Sequence, residues 1–235
     1  MNEAIIGFVG VLVGVIATVG KDLVSYWTVK RKAGRFAAVR LVCVLDQYVE
    51  KCVEVVGDDG TAYGQPAGRT EGGEEYYAAQ VRLPDPPAFP DDIDWTSINP
   101  ELMYRALALP NLASVTDRFI GAVSEHSFPP DYSEMFQARW EGYADLGLEA
   151  ASITAALRSR FDLPKSSIEI GNPDWDSVGF LQKTKNDAVR ARKAQRAMNA
   201  KMWEELDSKA PHDHDSKAPE ELLNDSPNAN EAVDK

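Results

Sequence analysis

Residues 4–20 read AIIGFVGVLVGVIATVG, and this uncharged stretch decides the architecture predicted for the chain. A helix over these residues would be ~26 Å long at ~1.5 Å per residue, slightly short of a ~30 Å hydrocarbon core. Extending the helix over residues 5–27 gives ample length, and Lys21 can then reach water along its aliphatic stem. The stretch therefore predicts a transmembrane helix, and residues 1–29 are assigned to this anchor.

The residues around the apolar stretch predict its orientation in the membrane. Aromatic side chains favour the headgroup level, and basic clusters favour the cytoplasmic side. The basic residues follow the stretch, whereas residues 1–4 carry a single charged side chain, that of Glu3. We expect a single-pass protein of the cell membrane, with its N-terminus outside and its body in the cytoplasm. The predicted membrane-interface residues are Tyr26, Trp27, Lys30, Arg31 and Lys32.

Two other interpretations of the apolar stretch stay open. One is a cleaved signal peptide, although such peptides normally begin with positive charge. The other is a helix that is buried in the protein or lies in the interface. Within a membrane helix, the glycines would allow two helices to approach closely. A homodimer contact is one hypothesis for them, although glycine is also simply common in membrane helices. The residues of this helix–helix contact are Gly7, Gly10 and Gly14.

The net charge of −12 is concentrated in two segments of the 235-residue chain. Residues 57–99 carry nine acidic and two basic side chains, and residues 204–235 carry ten acidic and three basic ones. Each segment therefore has a charge of −7, and the remainder sums to +2. An anionic membrane surface would repel both segments. We expect an acidic Gly/Pro-rich loop over residues 57–96 and a disordered acidic tail over residues 207–235.

Apolar residues at helical spacing predict an all-α class, with no convincing strand. Residues 30–56 are predicted to form a juxtamembrane amphipathic helix, which could loosen at Ala33–Gly34. Two cysteines on this helix, Cys43 and Cys52, would lie ~13 Å apart along its axis, too far for a disulfide. Both are expected to be reduced and buried. The predicted inner face comprises Ala38, Leu41, Val42, Leu45, Tyr48, Val49, Cys52, Val55 and Val56.

Residues 97–206 are predicted to form a small cytoplasmic helical bundle. The first helix would be capped by Asn99 and would stop at Pro110. The second would turn Leu112, Val115, Phe119, Ile120 and Val123 inward. A long third helix would begin at Asp131 or Ser133 and end before Pro164, and a last helix would span about residues 174–206. Because its apolar stripe is large for so small a bundle, we expect part of the third helix to dock another protein. The residues of that stripe are Trp140, Tyr143 and Leu146.

The sequence contains no pattern that predicts a reaction. It lacks a nucleophile elbow, a P-loop, a dinucleotide fingerprint and a metalloprotease motif. Asp91, Asp92 and Asp94 could hold a hard cation, but acids in this position more often precede a helix N-terminus. We therefore assign no catalytic, cofactor-binding or metal-binding residues and expect no cofactor, although scattered residues could still form an active site.

A basic segment near the C-terminal end is the strongest candidate for a functional contact. Seven bases stand against one acid, Asp187, between residues 183 and 201. Such a helix could contact anionic lipid headgroups or nucleic-acid phosphates, but charge runs are usually solvated faces. The candidate residues for contact with an anionic surface are Lys183, Lys185, Arg190, Arg192, Lys193, Arg196 and Lys201.

These features together predict a membrane-anchored interaction or scaffold module rather than an enzyme. Its expected partners are the membrane and another protein. Two alternatives remain: a membrane-proximal enzyme or accessory subunit, and a membrane-tethered nucleic-acid binder. The residues do not identify the partner or the biological process.

Overall fold

A computed structural model describes the backbone of residues 2–166 and 175–209, and the side chains of Lys21, residues 25–166, residues 175–206 and Ser208. Helices dominate these residues, so the predicted all-α class is confirmed. The part of the predicted acidic tail that follows residue 209 lies outside the described residues. The helices are α1, Asn2–Val56; α2, Pro100–Ser124; α3, Ser133–Phe161; and α4, Ser177–Lys209.

The apolar segment forms the first part of α1, but its side chains over residues 4–20 lie outside the described residues. The same holds for Gly7, Gly10 and Gly14. Among the side chains that the structure does describe, no helix contains an apolar run sufficient to cross a bilayer.

α3 packs against α1 in the antiparallel direction. Near the C-terminal end of α3, the ring of Phe161 lies against Gly34 of α1. Further back along α3, Gly147 faces Cys52. As residue numbers rise along α1, the numbers of the contacting residues on α3 fall, so the two helices are antiparallel.

α2 packs on another side of α3, also antiparallel to it. Arg105 near the start of α2 donates from Nε to Oε1 of Glu149 at 2.7 Å. Closer to the end of α2, Asp117 accepts a hydrogen bond of 2.5 Å from the hydroxyl of Tyr143. Consequently α1 and α2 run in the same direction, with α3 returning beside them.

The core contains the apolar face that was predicted for residues 30–56. Leu181 from the start of α4 is fully buried in the same core, close to Gly147 of α3. Cys43 departs from the prediction because it is exposed, whereas Cys52 is buried. The remaining prediction for this face is confirmed, since the following residues are all at most 7% exposed: Ala38, Leu41, Val42, Leu45, Tyr48, Val49, Cys52, Val55 and Val56.

Two predicted interruptions of helices are wrong. α1 continues through Gly34, where a side chain would meet the Phe161 ring at 2.6 Å. The glycine thus permits close packing of two helices rather than loosening one. α2 likewise continues through Pro110. A proline inside a helix costs ~3 kcal/mol, but Ala106, Leu109 and Ala113 are buried on both sides of it, and their packing holds the helix together.

The predicted loop over residues 57–96 wraps the body and contains a two-residue antiparallel pair of strands, β1 (Gly68–Arg69) and β2 (Glu75–Tyr76). This pair is a small departure from the prediction of no strand. Phe89 packs on Trp95, with ring centroids 5.7 Å apart, in the segment that leads into a short 3-10 helix, Trp95–Ser97. Both rings also pack against the hydrophobic core, so they anchor this end of the loop.

A buried ion pair fixes the beginning of this loop. The side chains of Asp58 and Arg139 are only 2% and 5% exposed, and Oδ2 of Asp58 lies 3.1 Å from Nη2 of Arg139. The same oxygen accepts hydrogen bonds of 2.9 Å from the backbone N–H groups of Gln80 and Val81. Burial lowers the pKa of Arg139, and the charge of Asp58 opposes this shift. One carboxylate therefore links the end of α1, the loop and α3.

The chain separates into two compact units, Met1–Arg192 and Lys193–Lys235. The first contains the bundle just described. In the second, residues 193–206 are helical and have exposed side chains.

Candidate functional site

α1 leaves the bundle at the point where it passes Gly34. Residues 25–32 are exposed, and the large aromatic side chains Tyr26 and Trp27 are 62% and 66% exposed. A helix that packed on both sides would bury such rings, because aromatic side chains contribute much of the burial energy in a core. Four of the predicted membrane-interface residues therefore lie on two adjacent turns of this projecting part of α1: Tyr26, Trp27, Lys30 and Arg31.

The C-terminal end of α3 is held firmly against the base of this projection. Arg158 forms a fork with both carboxylate oxygens of Asp46 on α1, and its Nε donates to the carbonyl oxygen of Pro164 at 2.9 Å. Phe161 is buried against Gly34, and Asp162 ends the helix in the left-handed conformation, at φ 52°. Arg160 lies between Arg158 and Phe161 in the sequence, so these contacts determine its position.

A cavity of about 810 Å³ lies between the projecting part of α1 and the end of α3. We call it the collar cavity. Its wall combines aromatic rings, basic side chains and three hydroxyl groups. The lining residues are Tyr26, Trp27, Thr28, Lys30, Arg31, Ser97, Arg160 and Phe161.

The collar cavity carries positive charge that nearby acids do not neutralise. Among the described residues, no carboxylate lies within 4 Å of the charged groups of Lys30, Arg31 or Arg160. Two of these cations rest near aromatic rings, with Lys30 Nζ 6.0 Å from the Tyr26 centroid and Arg160 Cζ 5.9 Å from that of Phe161. The C-terminus of α3 adds about half a negative charge, well below three positive ones.

Four members of this site were not predicted, and one of them, Thr28, directly follows Trp27 on α1. Ser97, Arg160 and Phe161 come from segments 70 or more residues away from Tyr26 along the chain. The only sequence signal for Arg160 is its place in the last turn of a helix, where a cation suits the helix dipole. Lys32, by contrast, was predicted and is exposed, but it does not line the cavity.

Part of the predicted basic surface on α4 forms ion pairs with acidic side chains of α3. Lys185 Nζ lies 2.5 Å from Asp145 of α3, and Arg192 Nη1 lies 2.7 Å from Glu141. Arg190 pairs weakly with Asp187 at 3.7 Å. The remaining four bases, which lack a carboxylate within 4 Å among the described residues, are exposed: Lys183, Lys193, Arg196 and Lys201.

Lys185 lies on the half of the bundle away from the collar cavity. Its neighbour Leu181 packs near Cys52, which is ~27 Å along α1 from Gly34. The collar cavity and this part of α4 are therefore separate candidates for contact with an anionic surface.

The stripe that was predicted to dock a partner is not available on α3. Tyr143 and Leu146 are at most 4% exposed, and Trp140 is half-buried, with its Nε1 donating to the carbonyl oxygen of Asp58 at 3.1 Å. This prediction is wrong, because α1, α2 and the loop cover the stripe.

α2 instead has an apolar face directed away from the bundle. Three residues that were predicted to point inward, Leu112, Val115 and Phe119, are between 47% and 61% exposed. Small residues such as Ala106 and Ala113 occupy the packed side instead. Tyr104, 73% exposed, and Leu107, 49% exposed, extend the outward face toward the start of α2.

Two of the three acidic residues before α2, Asp92 and Asp94, have structural partners. Asp92 pairs with Arg40 at 2.5 Å, and Asp94 accepts a hydrogen bond of 3.0 Å from the N–H of Thr96 at the start of the 3-10 helix. Within the described part of the chain, no three metal-ligating side chains are grouped closely enough to hold an ion.

No protein-family model, curated protein or solved structure matches this chain.

Proposed function

We propose that the chain is a single-pass membrane-anchored protein whose helical bundle is held at the cytoplasmic face of the cell membrane. The observation that carries this proposal is the projection of Tyr26, Trp27, Lys30 and Arg31 from the bundle. Aromatic and basic side chains in this order suit the headgroup region on the cytoplasmic side. The uncharged sequence of residues 4–20 precedes them on the same helix.

The rigid connection between anchor and body supports this function. α1 passes from the apolar segment into the bundle without a break, and Gly34 and Asp46 bind it to the end of α3. A bundle attached in this way is held at a fixed distance from the bilayer. This arrangement is suited to presenting a surface to other molecules, and it requires no chemistry of its own.

Charge placed in the apolar segment tests the anchor directly. Each arginine at the centre of a membrane helix costs ~2.5–3.5 kcal/mol. We expect the double variant Leu12→Arg, Val15→Arg to shift the protein from the membrane pellet to the supernatant after carbonate washing. The matched control is Leu112→Arg, Val115→Arg, which changes the same residue types at the same spacing on the exposed face of α2. The control should stay in the pellet. Wild-type protein in the supernatant would contradict the proposal.

The outward face of α2 favours a second role, association of two copies. Every copy in one membrane has the same orientation, and α2 runs in the direction of α1. Two copies related by an axis along the membrane normal would therefore bring their α2 faces together in parallel. Asn111 lies in the middle of this face, and a polar asparagine at such a position pairs with its counterpart in parallel helix pairs. The predicted Gly7, Gly10 and Gly14 contact would lie along the same axis.

The mass of the detergent-solubilised protein tests this association. We expect light scattering to give twice the chain mass for the wild type and the single chain mass for Leu112→Glu, Phe119→Glu. Tyr63→Glu is the control, because Tyr63 is fully exposed in the loop. A wild-type monomer would rule out the pair of copies, and a dimer in the α2 variant would rule out this face.

A further inference from the structure

We infer that the collar cavity binds the phosphate group of an anionic phospholipid, so that the bundle recognises a headgroup as well as being attached to the membrane. This inference rests on the proposed membrane anchoring. It gives a role to Arg160, which the anchor alone does not use.

The cavity has the size and the lining of a ligand site. Its volume of about 810 Å³ falls within the ~300–1,000 Å³ of typical small-molecule sites. Its lining includes the aromatic rings of Trp27 and Phe161, which suit the apolar part of a glycerol ester. It also includes Lys30, Arg31 and Arg160, and none of these cations has a carboxylate within 4 Å among the described residues.

The chemistry of these cations favours a phosphate. An arginine guanidinium binds two oxygens of a phosphate with parallel hydrogen bonds, and a lysine adds a compact point charge. Three cations in one cavity exceed the single charge of a phosphodiester. The site therefore prefers a lipid with net negative charge over a zwitterionic lipid, whose own cation would be repelled.

The placement of Arg160 indicates that the fold builds this site. A membrane anchor needs only the basic residues of α1. Arg160 comes from α3, where the Arg158–Asp46 ion pair and the packing of Phe161 against Gly34 hold the backbone on either side of it. The cavity thus combines residues of α1, the 3-10 helix and α3, at the level where headgroups would lie.

The experiment is native mass spectrometry of the full chain in a neutral detergent, with three added probes. These are phosphatidylglycerol, phosphatidylcholine and inorganic phosphate. We expect phosphatidylglycerol to bind more tightly than phosphatidylcholine, and an excess of inorganic phosphate not to displace it. Arg160→Gln and Lys30→Gln should each weaken binding of phosphatidylglycerol about fivefold, the effect of losing ~1 kcal/mol per basic side chain.

Arg118→Gln is the matched control, since it removes the same charge from an exposed position on α2. It should bind phosphatidylglycerol like the wild type. Equal binding by Arg160→Gln and the wild type would overturn the inference, as would displacement of the lipid by inorganic phosphate at equal concentration. Carbonate washing of the same variants separates this result from the proposed function. A protein that stays in the pellet but shows no headgroup preference contradicts only the present inference.

Discussion

Among single residues, Gly34 of α1 occupies a tightly packed position. A β-carbon there would lie 2.6 Å from the Phe161 ring and 3.0 Å from the carbonyl oxygen of Ser97. Gly121 on α2 is also helical but has no atom within 4 Å of such a carbon. Alanine improves helix propensity at both positions, so a difference between them reports the packing at Gly34.

We expect Gly34→Ala to lower the free energy of unfolding by about 1–2 kcal/mol, because overpacking outweighs the gain in propensity. Gly121→Ala should raise it by about 0.5–1 kcal/mol. Denaturant unfolding of the full chain in detergent, followed by circular dichroism, measures both. Equal stabilisation by the two substitutions would show that α1 and α3 do not meet at Gly34.

The buried pair of Asp58 and Arg139 leads to a second prediction. Asp58→Asn leaves the Arg139 charge without its partner, and breaking a buried pair in this way costs about 3–5 kcal/mol. The exposed pair of Arg69 and Glu75, at 2.6 Å, provides the comparison. Glu75→Gln should change the free energy of unfolding by less than about 1 kcal/mol in the same measurement. A mild effect of Asp58→Asn would mean that the loop is held by its other contacts.

At the level of helices, α1 and α3 enclose three acidic groups that must stay protonated. Burial raises the pKa of the Cys52 thiol and of the Tyr48 and Tyr143 hydroxyls, whose ordinary values are 9.0 and 10.0. The folded protein keeps these protons at pH values at which the unfolded chain loses them. Stability is therefore complete below pH ~9 and falls as the pH rises above it.

We expect the urea midpoint of the full chain to fall between pH 8 and pH 10.5. Tyr48→Phe removes one titrating group and should make the fall shallower, whereas Tyr63→Phe, on an exposed loop position, should not. The hydroxyl of Tyr48 is buried beside Cys52 without a strong acceptor, so its loss should cost little at pH 8. A midpoint that stays constant with pH would contradict the burial of these groups.

Helical periodicity predicted the inner face of α1 because that face is buried in the core that α1 shares with α3. The Asn99 cap was also predictable, and Asn99 accepts a hydrogen bond of 2.8 Å from the N–H of Glu101. The outward face of α2 was not predictable in this way. Periodicity assigns large apolar residues such as Leu112 and Phe119 to the core, whereas smaller alanines pack against α3 instead. Arg160 was out of reach for a different reason, since only the antiparallel packing of α3 brings it to Lys30.

For the whole molecule, the proposed function implies that the bundle extends from one helix that begins in the membrane. Residues 25–32 project, the collar cavity lies at their base, and the ion pairs of Asp46 and Asp58 hold the bundle to the same helix. The proposed function also states the side of the membrane on which the bundle lies, and this cytoplasmic placement is its central claim.

Labelling of Cys43 in intact cells tests that claim most directly, because Cys43 is exposed on α1 while Cys52 is buried. A membrane-impermeant maleimide should leave Cys43 unlabelled until the membrane is permeabilised. In the variant Asn2→Cys, Cys43→Ser, the new cysteine should be labelled without permeabilisation. Labelling of Cys43 in intact cells would place the bundle outside and contradict the account.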